Sequence, residues 1–143
     1  MRPRHATKED LRDVEALLRS CSLPVCGIRS EAVQFHVSRD RTGLLGCAGI
    51  EELGGKVALL QGVAVAKRAR RAGLAALMVS ALVADVRLRG VESLVLRTEF
   101  AAGYFSRLGF TPVDRAAIPD ELLAYHEFSD IGPHTGTVMK AEL

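Results

Sequence analysis

From Val57 to Ala66 the chain reads V-A-L-L-Q-G-V-A-V-A, an apolar run interrupted only by Gln61 and Gly62. Such a run, without polar alternation, predicts a strand covered on both faces, the place of a central strand in a layered sheet. Directly after it come Lys67-Arg68-Ala69-Arg70-Arg71, four bases in five positions. A long apolar helix is then expected to begin near Ala72-Gly73-Leu74-Ala75, where small side chains let a ligand approach the backbone. A helix start exposes unpaired N–H groups and the positive end of the macrodipole. Arginines beside it add charge-assisted hydrogen bonds to phosphate oxygens. Strand, basic turn and helix start together read as a pyrophosphate cradle that needs neither a metal nor a Walker lysine. Neither GxxxxGK[ST] nor GxGxxG occurs, which removes the P-loop and Rossmann readings.

The rest of the chain supplies the sheet around that strand. Met1 to His5 is a first short strand, and Thr7-Lys8-Glu9-Asp10 has the form of an N-cap with an acid three residues on. Leu11, Val14, Leu17 and Leu18 follow at helical spacing, predicting an amphipathic helix to about Arg19. Ser20 to Ser30, with Leu23-Pro24 and Gly27, reads as an irregular loop. Val33–Ser38 and Leu44–Glu51, separated by the turn Asp40–Gly43, read as strands. Leu53-Gly54-Gly55 turns the chain into the central strand, completing an antiparallel meander. The helix from Gly73 to about Leu88 is apolar nearly all round and is expected to be substantially buried. Val91–Arg97 should return as a strand parallel to the central one, through the crossover that this helix makes. A helix over Thr98–Leu108 closed by Gly109, a strand Phe110–Arg115, a short helix Pro119–Tyr125 and a closing strand Gly136–Glu142 complete the order. This is an α/β (α+β) chain with a mixed central sheet of about six to seven strands, flanked by helices on both faces.

At 143 residues the chain, 1–143, is expected to form a single domain with a proper core. A net charge of +2, with its bases gathered at the turn, points to a local anion site and not to a nucleic-acid partner. Cys21, Cys26 and Cys47 lack a metal-ligand framework, so no metal is expected, and no segment reads as a signal peptide. Reduced thiols in a cytoplasmic protein are the simplest reading, with Cys47 a packing residue. Asp85 and Arg87 interrupt the most apolar helix, so no membrane span is expected.

Two sequence stretches carry a family resemblance. Arg70-Arg71-Ala72-Gly73-Leu74-Ala75 resembles the Q/R-x-x-G-x-G/A pattern of the GNAT superfamily of acetyl-CoA-dependent N-acetyltransferases, and its position after V-A-V and before a long helix is the family's. Ala102-Gly103-Tyr104-Phe105-Ser106-Arg107-Leu108-Gly109-Phe110 resembles the second signature, a helix ending in aromatic-x-x-x-Gly-Phe. The two signatures span roughly Leu59 to Val113. The tail is similar to two amino-acid acetyltransferase groups. These are the arsinothricin (arsenic-resistance) N-acetyltransferases and the acetyltransferase domain of bacterial N-acetylglutamate synthases. The similarity runs through Ile118–Leu122, Glu127–Ser129, Gly132–Thr135 and Val138–Lys140.

The resemblance implies the GNAT fold and acetyl transfer in a ternary complex with acetyl-CoA as cosubstrate. It assigns Val63, Ala64 and Val65 to the pantetheine arm, with the Val65 N–H polarising the thioester oxygen. Arg70, Arg71, Ala72, Gly73, Leu74 and Ala75 would hold the pyrophosphate, and Thr98, Tyr104 and Phe105 would line the cofactor side. The loop after the first helix would form a wall of the acceptor site, and a dimer is expected. Phe105 stands where the family places a proton-donating tyrosine, and Leu59, Leu60 and Gln61 stand where some members carry a base glutamate. The thiolate can leave unprotonated, since a thiol's ordinary pKa is about 8.5. Glu51, Glu52, Glu99, His126, His134 or a water relay are the alternatives for the base.

The acceptor is expected to be the α-amine of a small amino acid, with Arg29 or Arg97 clamping its carboxylate. Acetylation of a protein or peptide amine, or acyl-CoA binding without catalysis, stay open on the residues alone.

Overall fold

The computed structural model describes residues 2–25, 27–54, 56–114 and 136–143. In chain order the elements are β1 (Arg4–His5), a 3-10 turn at Lys8–Asp10, α1 (Leu11–Ser20), β2 (Val33–Asp40), β3 (Gly43–Gly54) and β4 (Val57–Val65). A second 3-10 turn at Lys67–Ala69 precedes α2 (Leu74–Leu88), β5 (Ser93–Thr98), α3 (Ala102–Arg107), β6 (Thr111–Pro112) and β7 (Thr137–Glu142). Among the described residues the strands form one seven-stranded sheet in the order β1-β2-β3-β4-β5-β7-β6. All neighbours are antiparallel except β4 and β5, the pair joined by the α2 crossover.

Strand alternation sorts the core into two layers. Val14 and Leu18 of α1 pack on Phe35, Val37, Cys47 and Ala64. On the other face Met78, Leu82 and Val86 of α2 and Phe105 of α3 pack on Ala48, Ile50, Leu60, Leu94 and Leu96. Neighbours in sequence, such as Cys47 and Ala48, therefore belong to opposite layers.

The N-terminal end is held by charge. The Asp10 carboxylate accepts two bonds from Arg4, at 2.8 and 3.1 Å, and one from Arg39 at 2.8 Å. The N–H and hydroxyl of Thr7 also donate to it, at 2.8 and 3.1 Å. The Arg4 hydrogen bonds in particular hold this carboxyl far below the usual carboxylate range.

Several elements differ in extent from their expected spans. The third helix begins at Ala102 and not at Thr98, because Thr98 is still in the sheet opposite Thr137 and its hydroxyl accepts the Ala101 N–H at 3.0 Å. The strand expected over Phe110–Arg115 is two residues long, and β7 lies between it and β5. Helix α2 buries one face only; Leu77 and Leu88 are 52% and 89% exposed, since a helix lying on a sheet can cover a single stripe. The short helix expected over Pro119–Tyr125, and His126 and His134, lie outside the described residues.

Candidate active site

The parallel pair β4–β5 is registered at Val57↔Ser93, Ala58↔Leu94 and Leu59↔Val95, and there the pairing stops. Beyond it β4 runs on to Val65 alongside β3, while β5 runs on to Thr98 alongside β7. The two strands part and leave a wedge in the middle of the sheet.

A bulge re-aims β4 where the wedge opens. Cys47 faces Ala64 while Gly49 faces Gln61, so β4 holds one residue more than β3 across this interval. Gly62 supplies the required positive φ of +61°, and a Cβ there would stand 3.0 Å from the Phe35 ring. The Cys47 thiol donates to the Gly62 carbonyl at 3.3 Å. Burial pushes that thiol's pKa up to about 12, so Cys47 is an unreactive packing residue.

Past the bulge, Ala66 donates its N–H to Leu45 on β3 at 2.7 Å. Amides alternate sides along a strand, so the N–H and C=O of Val65 turn the other way, toward the wedge. The Val65 carbonyl accepts Arg70 Nε at 3.1 Å. Ala64, by the same alternation, directs its amide to β3, and its side chain is buried in the α1 layer.

The wedge opens into a cleft of about 620 Å³. One wall is β4 from Leu59 to Val63, and the other is β5 from Leu96 to Thr98 with Glu99 and Phe100 at its end. Cys21 to Pro24 and Ile28, from the loop after α1, form a third side, and Phe105 closes the α3 side. Phe105 is 8% exposed and stacks edge-on with Tyr104 and Phe110. Tyr104 packs against the α2 layer and does not line the cleft, so α3 brings no phenol to it.

The basic turn is partly committed within the fold. Arg68 makes a bidentate pair with Asp40 at 2.6 and 3.0 Å, which holds the Asp40 carboxyl below the usual range. Arg70 folds back over the end of β4, its guanidinium also reaching Cys21 Sγ at 3.5 Å. Lys67 and Arg71 stay exposed. Arg71 and Gly73 both have positive φ, +69° and +76°, and Gly73 caps α2, which starts at Leu74, within the stretch Ala72–Ala75 where a helix start is expected. Apart from Gly73 and its chain neighbours, no atom lies within 4 Å of where a Gly73 Cβ would be, so the chain entering α2 borders open space, and a helix's first amides have no partner within the helix.

The two acceptor-clamp residues part company. Arg97 lines the cleft, with its Nη1 3.6 Å from Glu99 Oε1. Arg29 is drawn to α1, where it pairs with Glu15 at 2.6 and 3.1 Å, and it does not line the cleft. Among the described alternatives for the base, Glu99 alone lines the cleft; Glu52 pairs with Arg89 at 3.3 Å, and Glu51 lies opposite Leu59 on β3. Sequence reasoning passed over Gln61 because an amide cannot take a proton. Gln61 nonetheless lines the cleft, and its Nε2 is buried without a hydrogen-bond partner. The positive-φ glycine that follows it marks the bulge and was the available signal.

A central sheet split at one parallel pair, with a helix N-terminus beside the opening, is an α/β architecture whose open wedge lies between β4 and β5. The sequence model described as an acetyltransferase (GNAT) domain matches residues 31–112, more than half of the chain. The chain belongs to the GNAT family and is an acetyltransferase of the acetyl-CoA-dependent class. No protein of curated function matches it by sequence.

Solved structures share the fold at low identity. The Rv2747 protein of Mycobacterium tuberculosis, in complex with CoA and NLQ, superposes with TM-score 0.82 and 21% identity over 99% of this chain and 98% of that one. N-acetylglutamate synthase of Neisseria gonorrhoeae, in complex with coenzyme A and N-acetyl-glutamate, gives 0.78 and 15% over 99% of this chain but 34% of its own. This chain thus spans about a third of that enzyme. The ribosomal-protein-S18-alanine N-acetyltransferase of Escherichia coli gives 0.74 and 16% over 98% and 92%.

Proposed function

We propose that the protein transfers acetyl from acetyl-CoA to the α-amine of a small amino acid or analogue, of the glutamate, phosphinothricin or arsinothricin kind. The reading rests on one observation above the rest, that Arg97, whose side chain carries a guanidinium, lines the cleft beside Thr98. An amino acid presents a carboxylate that such a group can clamp. The clamp also offsets the rise in amine pKa that a free carboxylate causes. An α-amine near pKa 7.7–8.0 is about one-tenth neutral at pH 7, whereas a lysine amine near 10.4 is almost wholly charged. A cleft whose one described carboxylate sits at its mouth suits the former.

The cosubstrate fits the open features of the fold. The Val65 amide faces the wedge, where a pantetheine arm can take the strand position that β5 leaves. The first turn of α2, with Arg71, suits the pyrophosphate, and Thr98 and Phe105 lie on the thioester side. In the transfer, the neutral amine forms the new N–C bond and the C–S bond breaks. The thiolate leaves with the electron pair, and the amine proton passes through water toward Glu99 at the mouth. The Val65 N–H is the donor assigned to the developing oxyanion.

The proposed setting is the cytoplasm and the proposed assembly a homodimer. Both described sheet edges, β1 and β6, are only two residues long, so pairing through them would give few ladder bonds. A second reading, acetylation of a peptide amine, is favoured by Phe100, 96% exposed at the cleft mouth where an extended acceptor would lie.

Free-thiol release from acetyl-CoA across glutamate-like acceptors, other amino acids, polyamines and amine-bearing peptides separates the two readings. Turnover with glutamate-like acceptors is expected, and turnover confined to peptides would replace the proposal with the second reading. Arg97→Gln should raise the acceptor KM at least about tenfold, the loss of a hydrogen bond to a charged group. The KM for acetyl-CoA should stay unchanged; a rise in both would remove Arg97 as the clamp.

A further inference from the structure

At the β1 edge of the sheet, away from the cleft, three ligand-bearing side chains converge. His5 and His36 are cross-strand partners on β1 and β2, which places both imidazoles on one face with ring centroids 4.5 Å apart. That face is the one α2 covers, because His36 pairs with Ala48 of the α2 layer. From α2, Asp85 points at the pair, its Oδ2 3.8 Å from His5 Nε2. One nitrogen from each histidine and one Asp85 oxygen all lie within 4.8 Å of one another.

Two features of this cluster point to a ligand. His36 is 4% exposed, and its Nδ1 is buried with no hydrogen bond; Asp85 Oδ2 is likewise buried with none. Buried polar atoms are normally satisfied, so the unbonded His36 Nδ1 calls for an explanation, while Asp85 Oδ2 has only ionic contacts longer than a hydrogen bond, to Arg89 and His5. Asp85 also interrupts a helix that is otherwise apolar from Leu74 to Val86 apart from Ser80.

We propose that His5, His36 and Asp85 form a binding site for a divalent transition metal, zinc being the best match, that ties β1 to α2. Two imidazoles and a carboxylate are a zinc donor set, leaving the fourth position to water. Ligand bonds of about 2.0–2.2 Å imply donor separations near 3.5 Å. The cluster must therefore contract by about 1 Å, and His5, 60% exposed on a two-residue edge strand, has the freedom to do so.

Arg89 is the competing cation. Its Nη2 lies 3.4 Å from Asp85 Oδ2, while its other nitrogens reach Glu52 at 3.3 Å and Gln34 Oε1 at 2.8 Å. A metal displaces only the Asp85 contact, and the other two hold Arg89 in place.

The test is titration of zinc into the metal-free protein against a chromophoric chelator, with thermal unfolding in parallel. Wild type should bind one equivalent and gain roughly 8 °C in Tm at zinc about a hundredfold above its dissociation constant. His5→Ala, an exposed edge position that should fold, is expected to lose more than the 10–100-fold typical of an outer partner. Asp85→Asn should do the same, and Arg89→Gln should bind several-fold more tightly because it removes the competing charge. Cobalt should give a tetrahedral visible spectrum without a thiolate charge-transfer band. Unchanged affinity in His5→Ala, a thiolate band from the cysteines, or no binding by wild type would each overturn the proposal.

Discussion

The two halves of the sheet solve opposite problems with the same strand. On one side of β4, the meander with β3 and β2 is paired along nearly its whole length, with Phe35, Val37 and Cys47 packed under α1. On its other side β4 meets β5 for three residues and then diverges. The paired side satisfies its backbone internally and anchors the fold. The open side leaves backbone donors directed at a cleft, tolerable only because the meander already holds β4 in place. Binding capacity here is unspent strand pairing, and it lies where the parallel register ends.

The comparison can be broken most forcefully on the paired side. Asp10→Ala leaves the guanidinium groups of Arg4 and Arg39 and the Thr7 amide without their shared acceptor, and should destabilise the fold by about 3 kcal/mol. The KM for acetyl-CoA should stay near wild type, because none of these groups lines the cleft. Denaturant unfolding with steady-state kinetics checks both halves of the statement. The pH dependence has a definite sign. The folded Asp10 pKa is depressed, so its stabilisation is fully present above the unfolded value near 3.9 and is lost as pH falls through the folded value. Wild type should lose stability below about pH 4 more steeply than Asp10→Asn.

On the open side the order of effects reverses. Gly73→Ala puts a side chain at φ +76° and should cost about 1 kcal/mol of stability. It also places a methyl group where the chain entering α2 borders open space, so the KM for acetyl-CoA should rise several-fold, with the acceptor KM little changed. An unaltered acetyl-CoA KM would remove the first turn of α2 from the cosubstrate site.

The smallest effect sharpens the boundary between the halves. Native alkylation in a Cys26→Ser background should modify Cys21, which lines the cleft, and spare Cys47, whose thiol is buried and bonded to the bulge. Acetyl-CoA should slow the Cys21 reaction. Modification of Cys47 at a similar rate would mean that the bulge opens in solution.

Much of the architecture was legible because it rests on local chemistry. The unalternating run at Val57–Ala66 can be buried only on both faces, and a basic turn before small residues marks a helix start suited to anions. The order of strands and helices, and the crossover into a parallel strand, follow from those periodicities. The reach of elements was less legible. Thr98 looks like the first residue of a helix, but cross-strand pairing with Thr137 keeps it in the sheet. Side-chain partnerships were not legible at all, since Arg29 and Arg97 are equivalent in sequence and only folding gives one to Glu15 and the other to the cleft.

The same division holds for the chain as a whole. The sequence by itself determined the family, the central strand and the helix start after the basic turn, because these are written in contiguous residues whose patterns are physical. The tertiary structure decided where β4 and β5 part, which aromatic of the Tyr104-Phe105 pair faces the cleft, and that His5, His36 and Asp85 meet. Those outcomes depend on register, twist and packing between segments far apart in the chain, which no local pattern encodes.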